Sequence, residues 1–276
     1  MGGGMMPAVN QNVAVQAKKL AIDSVSRSFR SIGSRRSIQF VRVLADISFD
    51  MYEGEIVSVV GLSGCGKTTL LRIVGGLLSP DDGTLRVAGR EVKGPGLDRA
   101  IVFQQPSLLP WRTALKNVEF GLELKRAGKG TRLAKSRDAL RLVGLGDYEK
   151  YYPKQMSGGM QQRVGLARAL AVEPEILLMD EPFSALDAQT REELQMELLD
   201  LHAKTRKTIM FVTHDLDEAV YLSDRILVLL PHPGRVHTVI DVDLPRPRGN
   251  ILDIKSNPAF IKARETVARE IRAGGD

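Results

Sequence analysis

A glycine-rich loop at residues 61–69 constrains this chain more than any other segment. Its glycines have the spacing G-x-x-x-x-G-K-T, which lets consecutive backbone N–H groups turn inward and cradle phosphate oxygens. Lys67 brings a positive charge within reach of the β- and γ-phosphates, and the Thr68 hydroxyl is a ligand for Mg²⁺. The loop predicts a nucleoside triphosphate site formed by Gly61, Leu62, Ser63, Gly64, Cys65, Gly66, Lys67, Thr68 and Thr69.

The segments on both sides of this loop support the same interpretation. Residues 55–60 have the pattern of a buried strand, and residues 69–74 that of a helix. The phosphates would then lie at a helix N-terminus, where free N–H groups and the helix dipole favour anions. The alternative, a plain glycine turn between strand and helix, is disfavoured by the complete motif in this setting.

An apolar run at residues 176–179 ends in two adjacent carboxylates. Pro174 and Pro182 bound the run, which is typical of a central strand in a parallel sheet. Asp180, at the end of this strand, is predicted to hold Mg²⁺ directly or through water. Glu181 follows it and points elsewhere, so it is the candidate general base for an attacking water. Two solvated carboxylates at a strand end are the alternative.

A second apolar run, at residues 208–212, leads to His214. A lone histidine at a strand end is usually structural or simply exposed. Because this strand is expected beside the strand that precedes the phosphate loop, we predict that His214 touches the γ-phosphate.

A third motif, Ser157-Gly158-Gly159, opens a segment of helical character without proline at residues 160–170. It provides another helix N-terminus with exposed N–H groups. The chain therefore carries two helix ends that are suited to binding phosphate.

These motifs, with Gln104 and the turn Ser184-Ala-Leu-Asp187, follow one another in the order found in the nucleotide-binding subunits of ABC transporters. The chain resembles that family over residues 18–245. It is more narrowly similar to the branch that serves nitrate, sulfonate, taurine and related importers. The narrower resemblance rests on residues 103–111, 157–163 and 243–248.

The resemblance implies an α/β fold: a RecA-like P-loop NTPase core, an antiparallel β subdomain and an inserted α-helical subdomain that carries the Ser157 motif. It also implies ATP and Mg²⁺ as cofactors and a head-to-tail homodimer. In that dimer each ATP lies between one subunit's phosphate loop and the other's Ser157 motif.

Several single positions take their roles from the resemblance. Phe29 would stack on adenine, although a core aromatic is the alternative, and Asp187 would touch the partner's phosphate loop. The catalytic residues would be Glu181, His214 and Gln104, the metal contacts Thr68, Gln104 and Asp180, and the remaining nucleotide contacts Phe29, Ser157, Gly158, Gly159, Gln161 and Asp187. We expect the side chain of Cys65 to have no role in the chemistry of the nucleotide site.

Composition agrees with a protein that contributes no membrane span itself. The chain has 276 residues and one cysteine, which excludes an internal disulfide. No apolar run approaches the roughly 18–20 residues of a membrane span, and the first residues lack the pattern of a signal peptide. The net charge is +6, with a small basic cluster in what we predict to be a long connection between the first two strands: Arg27, Arg30, Arg35, Arg36 and Arg42.

The expected organisation has three parts. Residues 1–17 are predicted to be disordered, residues 18–245 to form the ATPase domain, and residues 246–276 to form a tail with a polar helix at 258–273. The helical subdomain is expected at about 104–172. The proline-rich segment 244–249 is expected to end the compact domain.

Three functional classes are compatible with a phosphate loop. We favour the energising subunit of an importer, peripheral to the cytoplasmic face of the inner membrane. Its partners would be integral membrane permease subunits and, indirectly, a periplasmic or extracellular solute-binding protein, without nucleic acid. A soluble ABC ATPase acting on nucleic acid or in translation is the alternative. A GTPase is disfavoured because the chain lacks an Asn-Lys-x-Asp motif. The sequence does not name the transported solute.

Overall fold

The computed structural model of the chain describes residues 17–32 and 38–274. Of the residues 1–17 that are predicted to be disordered, 1–16 lie outside the described residues. The strands are β1 (Lys18–Ile32), β2 (Ile38–Tyr52), β3 (Ile56–Gly61), β4 (Asp82–Val87), β5 (Arg90–Glu91), β6 (Arg99–Phe103), β7 (Ile176–Asp180), β8 (Thr208–Val212), β9 (Arg225–Leu230) and β10 (Arg235–Asp241). The helices are α1 (Lys67–Val74), α2 (Ala114–Leu124), α3 (Lys129–Leu142), α4 (Gly158–Ala171), α5 (Ala188–Thr205), α6 (Leu216–Leu222), α7 (Ile251–Lys255) and α8 (Pro258–Ala273), with 3₁₀ turns at Gly146–Tyr148 and Pro153–Gln155.

A six-stranded sheet with the order β10-β9-β3-β8-β7-β6 forms the centre of the molecule. All neighbours in it are parallel except β9 and β10. Parallel strands are covered on both faces, so their residues are apolar in unbroken runs. In β3, for example, Val57 and Val59 belong to the core on one face, and Ile56 and Val60 to the core on the other.

A second, antiparallel sheet with the order β2-β1-β4-β5 packs against one face of the central sheet. The predicted long basic connection between the first two strands is wrong. β1 and β2 form a long hairpin in which Arg27 and Arg30 lie on β1 and Arg42 lies on β2, while Arg35 and Arg36 lie outside the described residues. The outer part of this hairpin is largely exposed, including Phe40 and Val41, and its arginines give it the composition of a solvated connection.

The segment between β6 and β7 forms a lobe of three helices, α2, α3 and α4, with the two 3₁₀ turns. The core on this side of the central sheet continues into the lobe through Val118, Leu140 and Val164, which are all fully buried. The lobe therefore shares a core with the central sheet, and α4 reaches from that core to the surface motif at its start.

The C-terminal segment does not follow the expected end of the compact domain at residues 244–249. Phe260 and Val267 of α8 are buried, and α8 packs against α6 and β9. Arg248 is buried and donates to the carbonyl oxygens of Val220, Tyr221 and Ser223 at the end of α6. Burial lowers the pKa of its guanidinium to about 9. Only tertiary contacts distinguish such a buried arginine from a solvated one.

The structure also bears on membrane insertion. Among the residues that it describes, none of the helices combines the length and the apolar character that a membrane crossing requires.

Candidate nucleotide site

The predicted phosphate loop connects β3 to α1 in the described structure. Gly66 caps α1 with φ 99° and no side-chain hydrogen bond, so the first N–H groups of the helix have no protein side chain as acceptor. A Cβ at Gly66 would lie 2.5 Å from Leu44 Cδ2, and one at Gly61 would lie 2.3 Å from the Leu229 carbonyl oxygen. Glycine at these two positions thus lets the loop close tightly against its neighbours.

The ammonium group of Lys67 is folded over the loop. Its Nζ donates to the carbonyl oxygens of Gly61 at 2.8 Å and Leu62 at 3.2 Å. Lys67 is buried, and these carbonyl oxygens carry only partial charge, so they do not neutralise the ammonium. The Cys65 side chain is buried beneath it, and burial raises the pKa of the thiol. An inward-facing thiol agrees with the expectation that it is indifferent to the nucleotide.

Thr68 and Asp180 are brought together, as the sequence predicts for a metal site. The Thr68 hydroxyl donates to Asp180 Oδ1 at 3.1 Å. Burial is the main influence on this carboxyl and raises its pKa, whereas the Thr68 hydrogen bond opposes that shift. A hydroxyl and a carboxylate in contact are two oxygen ligands of the kind that Mg²⁺ takes beside phosphate. The described residues contain no cluster of three or more His, Cys, Asp or Glu that could hold a metal without such help.

Glu181 and His214 meet at the carboxyl ends of β7 and β8. His214 Nδ1 lies 2.9 Å from Glu181 Oε2, and the Glu181 N–H donates to the Val212 carbonyl at 2.9 Å. Glu181 has φ 46°, in the left-handed region that is uncommon for a residue with a side chain. The backbone therefore turns sharply here, which separates the direction of Glu181 from that of Asp180.

Gln104 lies just after β6 and is exposed. Sequence reasoning missed the residues that hold this segment, which come from α4. Gln162 Nε2 donates to the Phe103 carbonyl at 3.2 Å, and Arg168 donates to the carbonyls of Pro106 at 2.7 Å and Ser107 at 3.0 Å. The helix that begins at the Ser157 motif thus fixes the backbone on both sides of Gln104. The sequence carries no signal for these contacts beyond the position of both residues on one predicted helix.

The Ser157 motif forms the N-terminus of α4. Ser157 Oγ accepts from the Met160 N–H at 3.2 Å, and Gln161 Nε2 donates to the carbonyls of Pro153 and Met156. The nucleotide contact of Gln161 stays a prediction, and in this structure its amide holds the turn before the motif. In the described part of the chain, no hydrogen bond joins this motif to the phosphate loop.

Asp187 and Phe29 occupy two further predicted positions. Asp187 is exposed and caps α5, since its Oδ1 accepts from the Thr190 N–H at 3.0 Å, and these bonds lower the pKa of its carboxyl. Phe29 is partly buried on β1 opposite Val41 of β2. Two residues further along β2, the carbonyl oxygen of Val43 would be 3.4 Å from a Cβ at Gly66. Phe29 therefore lies near the phosphate loop.

The phosphate loop, the paired Thr68 and Asp180 and the paired Glu181 and His214 lie at the carboxyl ends of adjacent parallel strands. This arrangement defines the chain as a P-loop ATPase with an inserted helical lobe.

Comparisons with known proteins give the family. The family model described as ABC transporter matches residues 44–184. An uncharacterised ABC transporter ATP-binding protein of Methanocaldococcus jannaschii is 54% identical over 230 residues, covering 83% of this chain and 84% of the relative. The taurine import ATP-binding protein of Pseudomonas aeruginosa is 44% identical over 255 residues, covering 91% and 95%. The aliphatic sulfonates import ATP-binding protein of Bacillus licheniformis is 45% identical over 228 residues, covering 83% and 86%.

Solved structures give the same result for the fold. A dimeric ATP-binding cassette in a post-hydrolysis state, bound to ADP and Pi, has a TM-score of 0.69 at 32% identity, covering 83% of this chain and 99% of that one. The chain belongs to the ABC transporter family, and it is an ATP-binding and ATP-hydrolysing member of it. The predicted fold class and the resemblance are confirmed.

Proposed function

We propose that this chain is the energising subunit of an importer for a small sulfonate or related oxyanion, such as taurine, an alkanesulfonate or nitrate, and that a separate permease forms the path. The single observation that carries this proposal is the presence of named taurine and sulfonate import subunits among relatives that match most of the chain. These relatives give no support to a role on nucleic acid.

The proposed hydrolysis uses groups that lie together in the structure. The N–H groups of residues 61–69 and the Lys67 ammonium bind the phosphates. Mg²⁺, when bound, would neutralise charge on the phosphate oxygens, and Thr68 and Asp180 would hold it. Glu181 takes a proton from the attacking water. His214 lies 2.9 Å from the Glu181 carboxylate, orients that carboxylate and contacts the γ-phosphate.

We further propose that two copies bind ATP between them, with Ser157, Gly158 and Gly159 of one copy facing the phosphate loop of the other. In this structure the Ser157 motif makes no hydrogen bond to its own chain's loop among the described residues, and similar cassettes have been solved as dimers. Asp187, exposed at the start of α5, would contact the partner. Gln104 would report the γ-phosphate to the segment that follows it.

The proposed contact with the permease is the segment 108–111. Trp111, the single tryptophan of the sequence, is a large apolar side chain and is nevertheless 71% exposed. Fully buried Asn117 holds this segment, since its side chain bonds to the backbone of Leu109, Arg112 and Thr113. An exposed aromatic on a rigid loop is typical of an interface centre. Leu108 and Leu109 are half-buried, so they partly serve the chain's own lobe, and Trp111 offers the most surface to a partner. Through that contact the subunit would be peripheral to the cytoplasmic face of the membrane.

Two experiments test this proposal. The double variant Leu109→Glu with Trp111→Ala, and Trp111→Ala alone, should bind ATP and melt normally but fail to co-purify with the membrane permease subunit. Leu124→Glu, at an exposed leucine of the same lobe, is the control. Normal co-purification of the variants would show that segment 108–111 is not the permease contact. For the solute, a deletion strain should lose growth on taurine or an alkanesulfonate as sole sulfur source, or on nitrate as sole nitrogen source. Undiminished growth on all three would refute the proposed substrate class.

A further inference from the structure

Phe29 is backed by an arginine that the proposed hydrolysis does not use. The guanidinium carbon of Arg27 lies 5.1 Å from the centroid of the Phe29 ring. A cation over an aromatic face at this distance is attracted by the ring quadrupole, and the planar guanidinium also stacks well. One face of the ring is therefore occupied from within the protein.

Arg27 is itself held in place by Asp81. Its Nη1 donates to Asp81 Oδ1 at 2.6 Å and to the Ser79 carbonyl at 3.0 Å. The second oxygen of the same carboxylate, Asp81 Oδ2, accepts from the backbone N–H of Ser28 at 2.6 Å. Asp81 thus fixes both the side chain that stacks on Phe29 and the backbone immediately before Phe29.

The strand register places this group beside the phosphate loop. Arg27 is opposite Leu44, and Phe29 is opposite Val41. The Leu44 side chain fills the space where a Cβ of Gly66 would be, 2.5 Å from that position. The ring is thus three residues along β2 from a loop contact, or about 10 Å at 3.3 Å per residue. This is within the span of a nucleoside attached to phosphates in the loop.

We propose that Arg27 and Asp81 are positioning residues for the adenine base: Arg27 stacks on one face of Phe29 and fixes the ring so that its other face receives the base. This inference rests on the proposed ATP-binding function and on the stacking of adenine on Phe29 that the family resemblance implies. An exposed aromatic side chain that loses rotamer freedom only on binding would weaken affinity. The stacked arginine restricts the ring before the nucleotide arrives.

The ion pair decides how Arg27 acts. The Arg27 guanidinium is held between the Asp81 carboxylate, at 2.6 Å, and the Phe29 ring, so we expect it to act on the base and not on the phosphates. The inference therefore predicts that losing Arg27 weakens nucleotides but leaves a base-free triphosphate unaffected.

The test compares ATP, ADP and inorganic tripolyphosphate by calorimetry on the full chain. Arg27→Ala should weaken ATP and ADP by about two- to fivefold, the range of an exposed cation–π contact, and leave tripolyphosphate unchanged. Asp81→Asn should have an effect of the same direction. Arg30→Ala is the matched control, because Arg30 is exposed on the same strand and pairs with Phe40 on the opposite face of the hairpin. Its binding of ATP should be unchanged.

A double-mutant cycle with Phe29→Ala separates the possible outcomes. In the Phe29→Ala background, Arg27→Ala should have no further effect on ATP binding. An equal loss in both backgrounds, or a loss that extends to tripolyphosphate, would overturn the positioning role. If Phe29→Ala leaves ATP binding unchanged, the stacking role of Phe29 fails; if it weakens ATP while Arg27→Ala matches the Arg30 control, only the present inference fails. Should Arg27→Ala not fold, Arg27→Gln keeps a donor to Asp81, lacks the cation and is expected to give the same loss.

Discussion

The two helix ends that suit a phosphate, at the starts of α1 and α4, are built differently. α1 begins after Gly66, which has no side chain to accept its first N–H groups. α4 begins after Ser157, whose own hydroxyl accepts from the Met160 N–H. The first end needs an outside acceptor, whereas the second already satisfies part of its own requirement.

Their surroundings differ more than the helix ends themselves. The α1 end lies beside the ends of β7 and β8, which supply Asp180, Glu181 and His214. The α4 end lies beside α5, where a Cβ at Gly159 would approach Thr190 Cγ2 to 2.8 Å. The same local property thus lies beside the candidate catalytic groups in one place and beside none of them in the other.

The largest expected effect comes from the group that only the α1 end has. Glu181→Gln removes the proton acceptor while keeping nearly the same shape, so steady-state hydrolysis should fall by about 10²–10⁴ with ATP binding retained. Turnover measured beside an ATP titration checks this. Glu91→Gln makes the same chemical change at an exposed carboxylate of β5, outside the proposed site, and is the control. If Glu181→Gln hydrolysed ATP at the rate of the unchanged chain, Glu181 would not be the proton acceptor.

A change at the α1 end itself should affect binding directly. Lys67→Ala removes a charge-assisted contact to the phosphates, a bond type of about 1.5–3 kcal/mol. ATP affinity should therefore fall roughly ten- to a hundredfold. Calorimetry with ATP measures it, with Lys116→Ala, in an ion pair on the lobe, as the control. An affinity within twofold of the unchanged chain would contradict the assigned role.

A change at the α4 end should leave binding by a single chain intact. Ser157→Arg places a large side chain where the partner's nucleotide would lie, so the Hill coefficient of hydrolysis should fall towards about one. Ser157→Asn retains an N-cap acceptor and controls for helix stability. If Ser157→Arg weakened ATP binding by the isolated monomer as much as Lys67→Ala, the difference between the two ends would not hold.

The smallest effect on turnover should come from a change at Glu218, near the start of α6. The property expected to change is the pH dependence of stability. Its carboxyl is buried, which raises its pKa to about 7, while hydrogen bonds from Thr213 and Gln195 and the charge of Arg191 oppose the shift and Asp215 adds to it. A raised pKa favours folding when the carboxyl is protonated. The stabilisation is therefore complete below about pH 4.5 and is lost as the pH rises through about 7, with a slope of up to about 1.4 kcal/mol per pH unit.

Denaturant melts between pH 4.5 and 8 check this prediction. Glu218→Gln should show a flatter pH dependence of unfolding free energy than the unchanged chain, because its side chain does not titrate. Parallel curves would show that Glu218 does not bind its proton differently in the folded state. Lys67→Ala should keep the original pH dependence, since the two groups lie on different elements.

Strong local patterns predicted much of the fold. The helix at Pro258–Ala273 and the strands at Ile176–Asp180 and Thr208–Val212 agree with expectation. The outer part of the β1–β2 hairpin was missed because the arginines at residues 27–42 have the composition of a solvated connection, and the apolar alternation at residues 38–43 is short. The packed C-terminal segment was missed because proline-rich 244–249 has the composition of a linker, and nothing local indicates that Arg248 will be buried.

The sequence by itself determined the phosphate loop, the carboxylates at Asp180 and Glu181, and the family to which they belong, because glycine conformation and charge are properties of residues and their spacing. Only the tertiary structure decided which of these groups touch. The contacts of Thr68 with Asp180, of Glu181 with His214 and of Arg27 with Asp81 join residues 112, 33 and 54 positions apart. Strand order and register set such distances, and these depend on the packing of the whole core.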